Sequence, residues 1–189
     1  MPVKATPTSL DGVIVFEPSI FGDPRGYFFE SWHSVRYAEF GVPRQFVQDN
    51  VSRSAQGTLR GLHLQEPFPQ GKLIQVLEGE VFDVAVDVRV GSPTFGKWVG
   101  ERLSSENHKQ MYVPPGFAHG FCVVSPSVLL TYKCTDLYHS ETEISIAWDD
   151  PQLGIDWPIE TPLLSKRDQA GLRLAAIPHA RLPRWSPAG

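Results

Sequence analysis

Hydrophobic and polar residues alternate along several short stretches of this chain. In the clearest stretch, residues 81–89, every second side chain from Phe82 to Val88 is apolar, and the side chains between them are mostly polar. A period of two is the period of a β-strand that buries one of its faces. This stretch therefore predicts a strand that packs on one side.

Similar patterns predict further short strands. Residues 73–77 are rich in β-forming side chains, and Glu78-Gly79-Glu80 predicts a hairpin connection to the strand that follows. Residues 129–138 form a third run, with Tyr132 and Cys134 on one face. Shorter candidate strands lie at residues 13–16, 27–32, 46–51, 58–64, 97–103, 110–113, 120–124 and 144–148.

Short strands between frequent turns are typical of an antiparallel β-sandwich or barrel. Glycine and proline, 16 and 17 of the 189 residues, occur throughout the chain and favour tight turns over long helices. Ser34 and Ser165 are placed to cap two short helices, one ending near Gly41 and one over residues 166–172. Because no repeat or linker divides the sequence, we expect a single domain over residues 1–189.

The charge balance excludes some classes of partner. With 17 Lys and Arg against 21 Asp and Glu, the formal net charge is −4, which argues against binding nucleic acid or an anionic membrane over the whole surface. No stretch approaches the ~20 apolar residues of a membrane span, and the first residues lack the apolar run of a signal peptide. We therefore expect a soluble, cytoplasmic protein. Cys122 and Cys134 are too few for a disulfide framework.

Four polar side chains stand out because a β-core does not need them. His63 lies in a strand-like run, Lys72 enters the next strand, His119 follows the rigid turn of residues 114–116, and Tyr132 lies in the third run. Each alone fits a structural role, since strand histidines and tyrosines usually pack or form hydrogen bonds. Together they supply the base, the acid and the cation that proton transfer requires.

A metal site is the first alternative for the histidines. The spacing of residues 57–63 and 114–119 is similar to the two halves of the cupin pattern. Metal-binding cupins have a second histidine two residues after the first, where this chain has Gln65, a poor ligand beside imidazole. We therefore expect no metal and no other cofactor, and we assign His63 and His119 to organic catalysis or binding.

An ordered series of motifs resembles the dTDP-4-dehydrorhamnose 3,5-epimerase family. The resemblance spans roughly residues 10–170 without a break in order. The matching stretches are FGDPRGYFFE at 21–30, FVQDN at 46–50, LRGLH at 59–63, QGK at 70–72, GEVFDVAVD at 79–87, SPTFG at 92–96, PGFAHGF at 115–121, WDDP at 148–151, GIDWP at 154–158 and LSKRD at 164–168.

This resemblance implies a fold and an activity. The fold would be mainly β, an antiparallel cupin-type jelly-roll barrel with a few short helices. The activity would convert dTDP-4-dehydro-6-deoxy-α-D-glucose into dTDP-4-dehydro-β-L-rhamnose by epimerisation at C3 and C5 through enolate intermediates, without a cofactor. The product would feed dTDP-L-rhamnose biosynthesis for cell-wall polysaccharide or lipopolysaccharide.

The resemblance also implies catalytic roles. His63 would be the base with Asp168 as its orienting partner, Tyr132 would be the acid on the opposite face, and Lys72 would neutralise the enolate oxygen. These roles fit the chemistry, since a carboxylate fixes the imidazole tautomer and stabilises the imidazolium. For Asp168 the sequence alone favours a helix-capping role with Ser165.

Substrate-binding roles follow in the same way. Family members are homodimers with shared sites, so the N-terminal segment, residues 1–50, would contribute to the dimer and to the partner's site through Phe21, Arg25 and Glu30. Residues 163–189 would form a short helix and an extended tail. The residues expected to bind the substrate are Phe21, Arg25, Glu30, Gln48, Asp49, Asn50, Arg60, His119, Tyr138, Glu143 and Arg167.

Two questions about strand faces stay open in the sequence. Arg60 and His63 are three residues apart, which puts them on opposite faces unless Gly61 hosts a bulge or Arg60 reaches around an edge. Asp83 and Asp87 share a face, which is more often an ordinary polar sheet face than the lining of a barrel near a lysine.

Three other functions compete with a 3,5-epimerase. The first is an epimerase that acts at one carbon only. The second is a non-catalytic module that binds sugar nucleotides on a cupin scaffold, since a fold does not determine a function. The third is a metal-dependent cupin oxygenase or isomerase. The joint presence of His63, Lys72, Tyr132 and Asp168 favours catalysis over binding alone.

Overall fold

Two antiparallel sheets form the body of the protein in the computed structural model, which describes residues 2–186. The six-stranded sheet has the spatial order β1 (Val3–Pro7), β2 (Ile14–Pro18), β10 (Gln110–Val113), β7 (Lys72–Glu78), β12 (Ser127–Cys134) and β5 (Gln48–Ala55). The five-stranded sheet has the order β13 (Glu143–Ser145), β6 (Leu59–Gln65), β11 (Phe117–Val123), β8 (Glu80–Asp87) and β9 (Trp98–Ser104). The mainly β, antiparallel fold expected from the sequence is confirmed.

A hairpin and a few helical turns complete the chain. Among the described residues, strands β3 (Phe21–Asp23) and β4 (Gly26–Phe28) pair only with each other. The α-helices are α1 (Ser34–Ala38) and α2 (Lys166–Gln169), and 3₁₀ turns lie at Leu174–Ala176 and His179–Arg181. Within residues 2–186, no helix is long and apolar enough to cross a membrane.

The main hydrophobic core lies between the two sheets. Ile74 and Leu130 from the six-stranded sheet pack in one cluster with Ala85 and Phe121 from the five-stranded sheet. All four side chains are at most 4% exposed. Burial of this apolar surface is the main force that holds the two sheets together.

The alternation of β8 divides its side chains between two environments. Val84 and Val86 point away from the barrel interior and pack against Ile177 and Leu182 near the C-terminus. The tail predicted to be extended therefore contains 3₁₀ turns and buries apolar side chains against the five-stranded sheet, because the outer face of β8 is apolar. The last residues of that predicted tail, 187–189, lie outside the described residues.

The predicted hairpin at Glu78-Gly79-Glu80 is wrong. Strands β7 and β8, on either side of it, belong to different sheets, so the chain crosses from one sheet to the other at this point. Gly79 has a φ of 82°, and a Cβ built on it would lie 2.2 Å from the Ser127 carbonyl oxygen. Only glycine fits this corner.

The two short helices are shorter than predicted. Helix α1 is capped by His33, one residue before the predicted Ser34, and the His33 Nδ1 accepts from the backbone N–H groups of Val35 and Arg36. Helix α2 begins as predicted after Ser165, whose hydroxyl accepts from the Asp168 backbone N–H.

Strand β6 carries a bulge between Arg60 and His63, the two residues that strict alternation would place on opposite faces. His63 pairs with His119 on β11, and Arg60 pairs with Phe121, so three steps on β6 match two on β11. The extra residue lies next to Gly61, which has a φ of 118°. The bulge resets the alternation, so that Arg60 and His63 both line the same cavity.

Candidate active site

A cavity of about 800 Å³ lies between the two sheets. This volume is in the range of pockets that hold a drug-sized ligand. Strands β5, β7 and β12 contribute side chains from one sheet, β6 and β11 from the other, and the start of α2 closes one side. The lining residues are Asn50, Val51, Ser52, Arg53, Arg60, His63, Lys72, His119, Phe121, Tyr132, Ser165, Lys166, Arg167 and Asp168.

His63 and Asp168 form a direct pair inside this cavity. The His63 Nε2 lies 2.7 Å from the Asp168 Oδ1, and the Asp168 side chain is only 3% exposed. Such a short charge-assisted contact fixes the orientation of the imidazole ring. It also favours the tautomer in which Nε2 carries the proton and donates it to the Asp168 carboxylate. The Nδ1 of His63 is therefore the ring nitrogen available as a base.

Asp168 makes both sets of contacts: the helix-capping contact with Ser165 that the sequence alone favours, and the contact with His63 that the family resemblance implies. Its backbone N–H donates to the Ser165 hydroxyl at the start of α2, and that hydroxyl donates to the Asp168 Oδ2 at 2.6 Å. Burial raises the pKa of the Asp168 carboxyl, but the hydrogen bonds from His63 and Ser165 outweigh it and leave this pKa below its ordinary value. Asp168 is thus held ionised beside His63.

Lys72 enters the cavity from β7 in the opposite sheet. Its neighbour on β12 is the buried Cys134. Burial lowers the pKa of the Lys72 ammonium, and the nearby Cys134 and Asp83 partly oppose this shift. A partly desolvated ammonium interacts strongly with an anion that forms next to it, because the local dielectric constant is low.

Tyr132 lies on β12 in the same sheet as Lys72. Burial raises the pKa of the Tyr132 hydroxyl, Cys134 and Tyr138 raise it further, and Arg60 lowers it. The hydroxyl therefore keeps its proton at neutral pH and can act as an acid. Since His63 is on the other sheet, the base and the acid stand on facing walls of one cavity.

A second histidine–carboxylate pair lies deeper between the sheets. The His119 Nε2 is 2.9 and 3.1 Å from the two carboxylate oxygens of Asp83, whose side chain is fully buried. Asp83 therefore lies in the barrel interior. Asp87, on the same face, instead accepts hydrogen bonds from Arg89, Ser92 and Thr94 and belongs to the structure of the following loop.

Three residues expected to bind the substrate contact one another at the cavity mouth. Glu143 pairs with Arg167, and the Tyr138 hydroxyl donates to the Glu143 Oε2 at 3.1 Å and accepts from the Arg167 guanidinium at 2.9 Å. The Glu143 Oε1 lies 3.8 Å from the His63 Nδ1. These contacts connect the mouth of the cavity to the His63 side chain.

Charge inside the cavity is opposite to that of the whole chain. Its lining carries a single carboxylate, Asp168, against five lysine and arginine side chains. One of these, Arg60, is held by a hydrogen bond of 3.1 Å from its Nε to the Ser54 hydroxyl. Such a cluster favours an anionic ligand. The cationic residues are Arg53, Arg60, Lys72, Lys166 and Arg167.

The predicted residues on β5 divide by strand phase. Asn50 lines the cavity and donates to the Cys134 sulfur at 3.5 Å, and Gln48 donates to Asn50 and accepts from the Tyr138 backbone N–H. Asp49 faces the other way and pairs with Lys133 at 3.0 Å outside the cavity. The alternation of side chains places Asp49 on the opposite face of β5 from Gln48 and Asn50. It does not divide the whole strand, because Val51 and Arg53, in phase with Asp49, also line the cavity.

The other three predicted residues lie away from the cavity of their own chain. Phe21 and Arg25 are exposed on the β3–β4 hairpin, where Arg25 pairs with Asp23. Glu30 pairs with Arg36 on α1. None of the three is among the residues that line the cavity.

Sequence reasoning missed some of the cavity lining. Ser52 and Phe121 line the cavity, and Ser54 holds Arg60. Ser52 and Ser54 follow Asn50 at a period of two, so strand phase was the available signal. The sequence favoured an ordinary polar face for Asp83 over the barrel lining, and the partner that places it inside the barrel, His119, is distant in sequence.

The cavity offers no evident group of metal ligands. Within residues 2–186, no cluster of three or more His, Cys, Asp or Glu side chains is arranged to hold a metal ion. Gln65, at the position where metal cupins carry a histidine, donates to the Phe68 and Leu137 carbonyls and accepts from the His139 N–H. Its side chain thus supports a loop.

Fold and site together define a class of protein. It is an antiparallel barrel whose cavity carries an imidazole held by a carboxylate on one wall, and a partly buried lysine and a tyrosine hydroxyl on the facing wall. This arrangement can move protons on and off a carbon atom that is adjacent to a carbonyl group.

Comparisons with known proteins identify the family. A family model described as dTDP-4-dehydrorhamnose 3,5-epimerase matches residues 7–176. The dTDP-4-dehydrorhamnose 3,5-epimerase of Pseudomonas aeruginosa is 56% identical over 175 residues, which cover 92% of this chain and 97% of that protein. The dTDP-4-dehydrorhamnose 3-epimerase of Streptomyces niveus is 42% identical over 182 residues, which cover 95% and 88% of the two chains.

A solved structure agrees with this result. The crystal structure of the dTDP-6-deoxy-D-glucose-3,5-epimerase from Legionella pneumophila, in complex with dTDP-4-keto-L-rhamnose, superposes with a TM-score of 0.96 and 53% identity, covering 98% of this chain and all of that one. The chain belongs to the dTDP-4-dehydrorhamnose 3,5-epimerase family. The cupin-type jelly roll and the epimerase class expected from the sequence are confirmed.

Proposed function

We propose that this protein epimerises both C3 and C5 of dTDP-4-dehydro-6-deoxy-α-D-glucose and releases dTDP-4-dehydro-β-L-rhamnose. One observation carries the proposal: His63 and Tyr132 stand on opposing sheets of the same cavity. Inversion at a carbon requires a proton to leave from one face and another to arrive at the opposite face. The C4 ketone acidifies the hydrogens on both C3 and C5.

Proton removal falls to His63. Its Nδ1 takes the hydrogen from the carbon next to the ketone, and the electron pair of the broken C–H bond forms the enolate. Asp168 stabilises the resulting imidazolium through its hydrogen bond to Nε2. Lys72 stabilises the negative oxygen at C4, which is the largest demand on the site because a carbon acid is weak.

Inversion falls to Tyr132. Its hydroxyl donates a proton to the enolate carbon from the wall of the six-stranded sheet. His63 then holds one proton too many and Tyr132 one too few, so His63 releases a proton to water and Tyr132 takes one from water. The same groups repeat the cycle at the second carbon.

Binding of the nucleotide uses the cationic lining and the cavity mouth. Arg60, Arg167 and His119 suit the diphosphate and sugar oxygens, and Tyr138 suits stacking on thymine. Gln48, Asn50 and Glu143 suit the hydrogen-bonding groups of the base and the sugars. The cationic lining supports this assignment, because the substrate carries a diphosphate.

A second copy of the chain would complete each site. The β3–β4 hairpin pairs with no other strand of residues 2–186, and its Phe21, Tyr27 and Phe28 side chains are 50, 58 and 62% exposed. An exposed aromatic hairpin that also carries Arg25 suits insertion into a neighbouring cavity. Phe21, Arg25 and Glu30 would then act in the partner's site of a homodimer. The cytoplasmic location stays a prediction.

Solvent exchange tests the proposed reaction. The purified protein is incubated with the dTDP-4-keto-6-deoxyglucose substrate in D₂O, and deuterium at C3 and C5 is followed by NMR. We expect label at both carbons with the wild-type protein and at neither with His63→Ala. An unlabelled product from the wild type, or undiminished exchange in His63→Ala, contradicts the proposal.

A single-carbon epimerase is the second candidate. The relative from Streptomyces niveus, whose name states epimerisation at position 3 only, is similar over nearly the whole chain. The configuration of the product separates the two candidates. Inversion at C3 and C5 supports the first, and inversion at one carbon with the other retained supports the second.

A further inference from the structure

His63 has a carboxylate near each of its two ring nitrogens. Asp168 holds Nε2 at 2.7 Å, and the Glu143 Oε1 lies 3.8 Å from Nδ1, the nitrogen that would take the substrate proton. At 3.8 Å the second contact is longer than a hydrogen bond but within the range of an ion pair. It becomes attractive when Nδ1 carries a proton.

The other oxygen of Glu143 is tied to the cavity mouth. Its Oε2 pairs with Arg167 and accepts from the Tyr138 hydroxyl. The Glu143 side chain is 10% exposed, whereas that of Arg167 is 51% exposed. Glu143 is therefore largely shielded from solvent, while Arg167, which neutralises it, is about half exposed.

We propose that Glu143 is a positioning residue that stabilises the protonated form of the base His63, and that Arg167 moderates this effect by neutralising part of its charge. The inference rests on the proposed function, in which His63 is the base. It gives Glu143 a role in the reaction beyond contact with the substrate.

Other charged and titratable groups surround His63 in the cavity. Asp168 is in direct contact, and its charge stays fixed because its pKa lies below the ordinary value. The groups that line the cavity or its mouth around His63 are Arg53 on β5, Arg60 on β6, Lys72 on β7, His119 on β11, Tyr132 on β12, Tyr138 before β13, Glu143 on β13, and Lys166, Arg167 and Asp168 on α2.

Glu143 and Arg167 act on His63 with opposite signs. The negative charge of Glu143 favours the protonated imidazole, so its loss leaves a weaker base that stays neutral at lower pH. Loss of Arg167 leaves the Glu143 charge less compensated, so His63 holds its proton to higher pH. A general structural disturbance would not separate the two variants in this way.

The test is the pH profile of kcat/KM for epimerisation, because this parameter reports the free enzyme, in which these contacts are seen. We expect Glu143→Gln to move the acid limb to lower pH by about half a unit or more and to lower the plateau on the order of tenfold. We expect Arg167→Gln to move the acid limb to higher pH. Arg167→Gln also weakens substrate binding. The quantity compared is therefore the pH at which kcat/KM falls on the acid side, and not the plateau value of kcat/KM.

Two further variants serve as controls. Glu141→Gln removes a nearby exposed carboxylate that contacts His139 at 3.5 Å, and its limb should coincide with that of the wild type. Glu143→Asp keeps the charge and should return the limb towards the wild-type position. It also serves if Glu143→Gln folds poorly.

The outcomes distinguish this inference from the proposed function. If the wild-type protein does not exchange the C3 and C5 hydrogens, the proposed function fails. If the wild type is active and Glu143→Gln raises only KM, with the acid limb unmoved, Glu143 has a binding role alone and the inference is overturned. Limbs that move in the same direction in Glu143→Gln and Arg167→Gln overturn it as well.

Discussion

Gly61 on β6 lies against Gly120 on β11, so closely that a Cβ built on Gly61 would be 2.5 Å from the Gly120 Cα. The same Cβ would be 2.7 Å from the His119 carbonyl oxygen. This contact lies at the bulge that brings Arg60 and His63 into one cavity. Because both residues are glycines, the two strands can approach this closely at the bulge. The bulge in turn places Arg60 and His63 in the same cavity.

Replacement of Gly61 by alanine should damage both stability and activity. The new methyl group meets backbone atoms that cannot move aside, and the φ of 118° is strained for alanine. We expect the free energy of unfolding to fall by about 2–4 kcal/mol in urea denaturation. We expect epimerisation to fall at least about tenfold, since His63 and Arg60 shift.

Gly91→Ala is the matched control for this prediction. Gly91 also has a positive φ, 90°, but a Cβ on it would meet no atom within 4 Å. It should cost about 1 kcal/mol of stability and leave the turnover rate unchanged. Equal effects of the two substitutions would contradict a role for the Gly61–Gly120 contact.

Motifs in the sequence singled out several side chains that line one cavity, whereas the path of the chain between the two sheets was not predictable from them. The bulge at Gly61 could be anticipated, because two polar residues with related roles stood out of phase around a glycine. The period-two pattern of β8 likewise predicted a strand correctly. It could not show that the apolar face would be covered by residues such as Ile177, because that contact depends on a segment about 90 positions away.

Long-range contacts explain the error at Gly79 and settle the open question at Asp83. A short polar turn between two strands resembles a hairpin, and only the pairing of β7 with β10 and β12 shows that the chain changes sheets there. Asp83 and Asp87 share a face, yet one binds His119 and the other a local loop. Their partners, and not the strand pattern, decide their roles.

Removal of the Tyr132 hydroxyl should separate proton exchange from inversion. In Tyr132→Phe, His63 can still remove a proton and return a solvent deuteron to the same face. We expect inverted product to fall by a factor of about 10² or more, while recovered substrate gains deuterium with its configuration retained. NMR of the recovered sugar measures both.

Tyr112→Phe is the control for this experiment. Tyr112 lies on β10 of the same sheet and packs in the cluster outside the barrel interior. Both exchange and inversion should match the wild type in this variant. Inverted product formed by Tyr132→Phe at the wild-type rate would show that another group is the acid.

Loss of activity at alkaline pH should depend on Lys72. Burial places the pKa of Lys72 below its ordinary value and the pKa of Tyr132 above its own. As pH rises through the lowered pKa of Lys72, its ammonium loses its proton and the enolate loses its counter-charge. In Lys72→Arg the alkaline limb of kcat should move to higher pH, because a guanidinium stays charged.

Lys133→Arg provides the comparison for Lys72→Arg. Lys133 is next to Tyr132 on β12 but pairs with Asp49 outside the cavity. Its substitution should leave the alkaline limb where it is in the wild type. If Lys72→Arg also leaves the limb unmoved, the group that titrates there is not Lys72.

Mixtures of two inactive variants should recover activity if sites are shared between chains. His63→Ala removes the base, and Arg25→Ala removes a side chain that lies outside its own cavity. A mixed dimer would carry both changes in one site and neither in the other. With random assortment, an equal mixture should reach about a quarter of the wild-type activity.

The mixture of His63→Ala with Lys72→Ala provides the contrast. Both residues line the cavity of the same chain, so every site of a mixed dimer would lack one of them. This mixture should stay inactive, and sedimentation velocity should show a dimer for each variant. Monomers in solution, or equal recovery in the two mixtures, would exclude a site completed by the β3–β4 hairpin of a neighbour.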